Sequence, residues 1–509
     1  MKKRLFQKLA RSSYSPGAFL QGLLSLLAGA ATAAAFAPYD IAVIPFITLA
    51  VLFRLWRAGD RKQAFVNGYL FGLGLFGVGV SWLHVSINLF SGINLAGAYL
   101  LTFLLVAYLA LFPALAGLLG RWRPVRSEPY FFLALMPSLW VLGEWVRSWL
   151  FTGFPWLTLG YTQTAGWLAG YASVAGVFGV SFCCALLAGA LALLAGRNSK
   201  LVPVLALLAV VAAGWQLRAW PWTHKTGTEI EVALIQAAIP QELKWLPEYR
   251  ALSLELYPEL TEPFWGHDLI IWPETAIPGY LHQFENYIDN LARTARASNS
   301  TLLVGIPSKH PASGAQFNSL ALLGDTRQIY HKRHLVPFGE YLPFRSVLEG
   351  PLDLLNIPMA DFTPGGAQEP ALFQAQGLAL GVSICYEAVF GAEIITSLPQ
   401  AQVLVNVSND AWFGASASPH QHLQMARMRA IETSRYLLRA TNTGISAIID
   451  EKGRIVGKTR QFEPDAVATS VPLFTGTTPY TISGDKPIVL LALVLLLWAL
   501  LFSERQRGD

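Results

Sequence analysis

Leu378-Ala379-Leu380-Gly381-Val382-Ser383-Ile384-Cys385-Tyr386-Glu387 is an apolar run that ends in a thiol and a carboxylate. Leu378, Leu380 and Val382 alternate with small residues, which predicts a buried strand over 378–384 with Cys385 at its C-terminal edge. The other two cysteines of the chain, Cys183 and Cys184, lie inside a long apolar segment, so Cys385 has no disulfide partner at hand. A lone cysteine at a strand end is either an inert core thiol or a nucleophile, and its neighbours decide which.

The composition is that of a membrane protein. Of the 509 residues 53% are hydrophobic and 14% charged, with a mean hydropathy of +0.42. Soluble domains carry roughly 25% charged residues. The net charge of +5 comes from Lys and Arg gathered at the ends of apolar runs. That pattern suits an anionic lipid surface; a basic stripe with interleaved aromatics is lacking, so no nucleic-acid partner is expected.

Eight runs, near 17–37, 41–56, 64–86, 95–119, 129–150, 166–195, 201–218 and 487–503, are long enough to cross about 30 Å of hydrocarbon as helices. Basic loops alternate with non-basic ones. Lys2, Lys3, Arg4, Lys8 and Arg11 precede the first run, and Arg54, Arg57, Arg61 and Lys62 follow the second. Arg121, Arg123 and Arg126, then Arg197 and Lys200, then Arg505 and Arg507 continue the series, whereas Pro38–Asp40 and Ser86–Asn94 carry no Lys or Arg. Both termini are then expected in the cytoplasm and the long loop 219–485 on the far side. Away from the ends of the spans charged residues are nearly absent; the exceptions, Glu144 and Arg147, are one helical turn apart and able to pair. So little buried charge points to a platform rather than a transporter.

The chain divides into 1–218 with seven spans, an extramembrane domain over 219–485, and 486–509 with the eighth span and a tail. Strands are expected over 229–236, 268–272, 301–306, 317–323, 378–384, 403–407, 444–449 and 467–471, with helices near 246–262, 281–297, 388–397 and 420–440. These can make a single α+β or α/β domain with its own core. Polar chemistry collects at three places in it: Trp272-Pro273-Glu274-Thr275, the stretch His331–Glu340, and Ile384-Cys385-Tyr386-Glu387.

The order Glu274, Lys332, Cys385, in the contexts WPET, HKRHLVPFGE and ICYE, resembles the nitrilase (carbon–nitrogen hydrolase) superfamily. Combined with the eight spans, the chain resembles the apolipoprotein N-acyltransferases, bacterial enzymes that add the third acyl chain to lipoproteins. Pro240-Gln241 with Lys244-Trp245, Phe317-Asn318-Ser319 and Ser408–Gly414 carry the resemblance further. It implies eight transmembrane helices plus a periplasmic αββα sandwich, in the bacterial inner membrane. It implies acyl transfer from a phospholipid, with phosphatidylethanolamine as the suggested donor, through a Cys385 thioester to the N-terminal amine of a diacylglyceryl apolipoprotein. Glu274, Lys332 and Cys385 are the implied catalytic residues, supported by Asn318, Glu340 and Glu387. Trp245, Tyr386, Trp412 and Phe413 are candidate apolar walls for the substrate.

The chemistry fits these residue types. A free thiol is only a few per cent thiolate at neutral pH; an ammonium at Lys332 would favour the thiolate, and Glu274 would accept and return its proton. No cofactor is needed, and no metal is assigned, because His420-Gln421-His422 lacks a matching carboxylate or cysteine cluster. The segment Pro337–Phe373, rich in Pro and Gly yet carrying Phe344, Val347, Leu348, Leu352, Leu354 and Leu355, reads as a lid. Two other readings stand beside acyl transfer: a membrane-anchored nitrilase-type amidase with water as acceptor, and a transporter with an accessory outer domain.

Overall fold

The computed structural model describes residues 16–123, 125–196, 200–343, 345, 361–366 and 371–502. The basic residues before 16, Arg197, Arg505 and Arg507 lie outside the described residues, as do the six apolar residues of the expected lid named above.

Apolar helices fill the first part of the chain: α1 (Pro16–Ala33), α2 (Ile44–Ala58), α3 (Arg61–Gly79), α4 (Leu83–Phe90), α5 (Leu95–Gly120), α6 (Glu128–Arg147), α7 (Ala172–Leu194) and α8 (Leu201–Ala219). Asp60 starts α3 by accepting from Gln63 N at 2.8 Å while Gln63 Oε1 accepts from Asp60 N, a reciprocal cap that satisfies end-of-helix donors. Among the described residues four helices are long and apolar enough to cross a membrane: α5, α6, Trp167–Leu194 and α8. The pair α3 and α4, bent by 56°, makes a fifth if it is one broken span. The eight expected spans shrink by this measure because the others are short. At 1.5 Å per residue α2, with 15 residues, reaches about 22 Å. Trp167–Leu194 is 83% buried and forms the centre of the region, whereas α8 is 17% buried and presents Leu205, Leu208 and Trp215 outward, an apolar belt of the kind hydrocarbon covers.

Glu144 and Arg147 do not form an ion pair with each other. Arg147 donates to the carbonyls of Phe154 (2.8 Å) and Trp156 and to Thr158 Oγ1, while Glu144 Oε1 accepts from Trp140 Nε1 (2.9 Å) and Leu159 N (2.8 Å). The irregular backbone after α6 has peptide groups with no helical partner, and these two buried side chains supply them.

The second part opens with a strand whose faces differ. Val232 and Leu234 join a core shared by two sheets, whereas Ala233 and Ile235 pack among helices; this is the period of two that a sandwiched strand requires. In chain order the strands are β1 (Thr223–Gln236), β2 (Leu269–Ile271), β3 (Thr301–Gly305), β4 (Ser308–Lys309), β5 (Gln316–Phe317), β6 (Ser319–Leu323), β7 (Arg327–His331), β8 (Leu372–Ala375), β9 (Leu378–Ile384), β10 (Val403–Ser408), β11 (Leu437–Thr441), β12 (Ala447–Ile449), β13 (Ile455–Lys458) and β14 (Asp465–Gly476). One sheet runs β14-β1-β2-β3-β6-β7, the other β13-β12-β11-β10-β9-β8, and β4 pairs with β5. The central strands β1-β2-β3 and β9-β10-β11 are parallel. Helices α9 (Pro247–Thr261) and α10 (Glu285–Ala297) cover the first sheet, through Tyr257, Ile288 and Leu291. Helix α11 (Ser418–Thr433) covers the second through Leu423, Ala426 and Ala430. The layers are therefore αββα.

The helix expected over 420–440 stops at Thr433. Ser434 takes a left-handed conformation (φ 48°), and Leu437–Thr441 leaves as β11, parallel to β10. The expected helix over 388–397 is only one short turn, Gly391–Ile394, between 3₁₀ segments. Helix α11 is buried on both sides: Met425, Met428 and Ile431 point away from the sheet into the core of the helical region. Helix α12 (Lys486–Phe502) closes the chain by packing on α6.

Candidate active site

Three strand ends converge at one edge of the sandwich. Glu274 follows β2, Lys332 follows β7, and Cys385 follows β9. The turn carrying Glu274 lies hard against β3. A Cβ added to Gly305 would stand 2.2 Å from Pro273 O and 2.7 Å from Glu274 Cα, so only glycine lets the two backbones approach this closely. Lys332 is fixed by its N–H to Asn318 O (2.8 Å).

Side chains then link the strand ends. Asn318 Nδ2 donates to Glu274 Oε1 (2.7 Å) and to Glu340 Oε1 (2.8 Å). Lys332 Nζ lies 2.8 Å from Glu340 Oε2 and 3.6 Å from Glu274 Oε1. Val336 N donates to Glu340 Oε2 (2.7 Å). Lys332 is 1% exposed and Glu274 6%, whereas Cys385 keeps partial solvent access. Its φ of +50° is rare for a residue with a side chain, and it bends the chain sharply where the strand ends.

Glu387 contacts neither the ammonium nor the thiol. It accepts from Tyr330 Oη (2.9 Å), Arg333 N (2.6 Å) and Ile384 N (2.6 Å). The backbone just after Lys332 is thereby tied to the backbone just before Cys385.

The charges set protonation. Burial pushes the Cys385 thiol up to about 12, the Glu274 carboxylate pushes the same way, and Lys332 opposes both without prevailing. Lys332 does favour the thiolate, as the sequence suggests, but burial and Glu274 outweigh it, so the proton acceptor expected at Glu274 is needed as well. Burial also raises Glu274, against the pull of Lys332, which makes it a better proton acceptor. Burial works to lower Lys332, but Glu340 and Glu274 outweigh it and hold its pKa above the ordinary lysine value. Such a group can pass a proton from sulfur to carboxylate while a permanent cation faces developing negative charge.

Residues that sequence reasoning did not assign to the site also gather here. Lys244, 1% exposed, reaches Glu274 O at 3.4 Å, and burial lowers it to about 7 against the pull of Glu274. Behind Cys385 lies a buried network: His422 Nδ1 is 3.0 Å from Asp410 Oδ1, Arg439 Nη2 is 2.9 Å from Asp410 Oδ2, and His422 Nε2 is 3.2 Å from Cys385 O. Burial favours the neutral acid at Asp410, but Arg439 and His422 prevail and hold the carboxyl below its usual range. The available signal was the Ser408-Asn409-Asp410 run; His422 was weighed only as a metal ligand, and Arg439 fell within the helix expected over 420–440. Of the four expected walls, Trp245 is exposed. The other three face the helical region: Tyr386 donates to Gly153 O (3.0 Å), Trp412 meets Phe90 edge-on (4.8 Å), and Phe413 meets Trp82 likewise (4.8 Å).

The carbon-nitrogen hydrolase family profile matches residues 231–475, and that of the apolipoprotein N-acyltransferase N-terminal domain matches 28–190. The carbon-nitrogen hydrolase from Helicobacter pylori G27 covers 55% of this chain and 96% of its own at 15% identity and a TM-score of 0.37. The apolipoprotein N-acyltransferase of Methylococcus capsulatus is 46% identical over 96% of this chain and 96% of its own. That of Nitrosomonas europaea is 43% identical over 94% and 97%, and that of Photobacterium profundum 38% identical over 96% and 96%. With such identity along nearly the whole length, the chain belongs to the apolipoprotein N-acyltransferase family.

Proposed function

We propose that the protein transfers a fatty acyl chain from a phospholipid, with phosphatidylethanolamine as the suggested donor, to the N-terminal α-amine of a diacylglyceryl apolipoprotein. The observation that carries this reading is one cluster of Glu274, Asn318, Glu340 and Lys332 set electrostatically against Cys385, in a chain of that family.

In the first half-reaction Glu274 takes the Cys385 proton as the sulfur attacks the ester carbonyl. The resulting oxyanion faces the Lys332 ammonium and the backbone N–H of Tyr386. The ester C–O bond breaks, Glu274 returns the proton to the departing lysophospholipid oxygen, and a thioester remains. In the second half the acceptor amine attacks the thioester, Glu274 takes its proton, and the thiol is regenerated as the amide forms. An α-amine with a pKa of about 7.7–8.0 has an appreciable neutral fraction near neutrality. Asn318 and Glu340 orient Glu274 and Lys332; Glu387 fixes the two backbones that carry Lys332 and Cys385. Tyr386 and Phe413, packed against the helical region, form apolar surroundings that keep water from the thioester, and the exposed Trp245 and Trp412 offer apolar surface for the acyl chain to cover.

The helical region comprises eight spans, 1–218 and 486–509, with both termini cytoplasmic and the catalytic domain, 219–485, periplasmic in the inner membrane. The alternation of basic loops supports this topology. A membrane site also suits the substrate: moving a 15-methylene chain into water costs roughly 12 kcal/mol, a penalty that a cleft open to the bilayer avoids. The amidase alternative would not explain a family whose members are acyltransferases along their whole length.

The test is mass spectrometry of the full chain in detergent after incubation with phosphatidylethanolamine. An acyl adduct on Cys385, discharged only when a diacylglyceryl lipopeptide is added, is expected. Discharge by water alone would favour the amidase, and an equal adduct level in Cys385→Ala would refute the mechanism.

A further inference from the structure

We infer that His422, held by Arg439 and Asp410, is a positioning residue that sets the orientation of the Cys385–Tyr386 peptide and so aims the Tyr386 N–H at the oxyanion. The inference rests on the acyl-transfer reading above.

The carbonyl of Cys385 accepts from two side chains behind the site, His422 Nε2 at 3.2 Å and Asn406 Nδ2 at 3.5 Å. The Cys385–Tyr386 peptide is trans, so its N–H and C=O point in opposite directions. A carbonyl drawn toward α11 and β10 therefore turns the Tyr386 N–H away from them. Among the described residues no acceptor is paired with that N–H, although Tyr386 is 7% exposed. A buried backbone donor without a partner is rare. Here it follows the nucleophile directly, beside a cation, where an oxyanion would be its acceptor.

One proton of His422 is fixed by its neighbours. Cys385 O can only accept, so Nε2 carries a proton. Nδ1 stands 3.0 Å from both Arg439 Nη2, which can only donate, and Asp410 Oδ1, which can only accept, and the Nε2–H contact is the same whichever of the two it serves; the guanidinium in turn is held by Asp410 Oδ2 at 2.9 Å. Burial and the Arg439 charge, opposed by Asp410, keep His422 below the ordinary histidine value. All three side chains are at most 2% exposed, and none is in contact with Lys332 or Glu274 among the described residues. They act on the left-handed turn at Cys385 (φ +50°), which would otherwise be free to relax and swing the N–H out of line.

The test compares His422→Leu, His422→Gln and His422→Asn in the full chain, by the single-turnover rate of acyl-Cys385 formation from phosphatidylethanolamine vesicles and by the rate of Cys385 alkylation with iodoacetamide. Alkylation forms no oxyanion and so reads the thiol alone. Removing one oxyanion donor typically costs 10²–10³-fold, so misaiming it in His422→Leu should slow acylation by at least about 10-fold. Alkylation and the phospholipid concentration for half-saturation should stay within about 2-fold, and His422→Gln, whose amide reaches the same carbonyl, should recover to within about 3-fold of wild type. Should His422→Leu not fold, the Gln and Asn variants decide, because the shorter Asn does not reach. Wild-type acylation in His422→Leu, equal rates for Gln and Asn, or acylation and alkylation falling in parallel would each overturn the inference. Absence of any acyl-Cys385 in the wild type is a different result; it refutes the acyl-transfer reading and this inference with it.

Discussion

Replacing Glu340 with Gln keeps the side-chain shape and removes one of the two carboxylates that share Lys332 and Asn318. Glu340 holds the ammonium at 2.8 Å, and Glu274 stands back at 3.6 Å. At an effective dielectric constant of about 20 these separations correspond to gross attractions of about 6 and about 5 kcal/mol. With residue 340 neutral, Lys332 closes on Glu274 and that pair strengthens by about 1 kcal/mol. Glu274 also loses a like-charged neighbour. Both carboxylates accept from the same Asn318 Nδ2, at 2.7 and 2.8 Å, which sets the two oxygens about 5 Å apart and their repulsion at about 3 kcal/mol.

The two effects act in the same direction and weaken the affinity of Glu274 for the thiol proton by about 4 kcal/mol. With about half of that felt in the proton-transfer transition state, acylation of Cys385 slows by about 30-fold. The assay is rapid-quench mass spectrometry of acyl-Cys385 across pH. The plateau rate should fall while the acid limb moves to lower pH, because Glu274 has become the stronger acid. A merely unfolded fraction would lower the plateau without moving the limb. Acylation within about 3-fold of wild type, or an acid limb that moves upward, would refute the reasoning.

For the wild type, acylation needs an ionised Glu274, and burial sets its pKa above the ordinary carboxylate value. The rate should rise through that raised pKa and then stay level, since the thiol, at about 12, does not ionise on its own below it; a climb that approaches tenfold per pH unit up to about pH 8 and levels off above about 8.5 would instead indicate a free thiolate at the ordinary cysteine pKa. Gly305→Ala forces a Cβ to within 2.2 Å of Pro273 O, so the Glu274 turn must move; a misplacement near 1 Å costs about 10²-fold in acylation, and unchanged kinetics would disprove the close approach. Glu432→Ala strips the acceptor from Val177 N (2.8 Å) and the partner from Arg429 (2.8 Å). Breaking a buried pair costs about 3–5 kcal/mol, so its denaturation midpoint should drop clearly below that of the wild type.

Alternation and strand-end chemistry were the legible parts. Residues 378–384 form β9 with the bounds read from the apolar pattern, and the residues singled out at three strand ends do come together. Leu437–Thr441 was not legible because a parallel strand buried on both faces shows no alternation, and the stretch falls at the end of the helix expected over 420–440. Arg439 within it is fully buried and paired with Asp410, 29 residues earlier in the chain, and no local pattern announces such a partner. His422 was read only against metal spacing, so its contact with Cys385 O passed unnoticed. The bounds of the spans were less legible where apolar runs include the turns between helices: 41–56 and 17–37 were taken whole, although the helices there are α2, Ile44–Ala58, and α1, Pro16–Ala33.

The stretches that carry Cys385, Lys332 and His422 also lean on the helical region. Tyr386, next to Cys385, donates to Gly153 O at 3.0 Å, and His334, two residues past Lys332, lies 3.2 Å from Thr152 O through Nε2. Gln421, next to His422, accepts from Trp156 Nε1 at 2.9 Å and Trp82 Nε1 at 3.1 Å and donates to Gly79 O at 3.1 Å. Phe151, Thr152 and Gly153 all have positive φ, a costly run for two side-chain-bearing residues that persists only where surrounding contacts impose it. Arg147 and Glu144 impose it from the membrane side, through Phe154 O and Leu159 N, and Tyr386 and His334 from the other. One wall of the site is therefore built from the helical region. A domain cut free of it would lose that wall and bare Met425, Met428 and Phe413, which pack in the core of the helical region, so the catalytic domain is expected to lose solubility and activity when expressed without the helices.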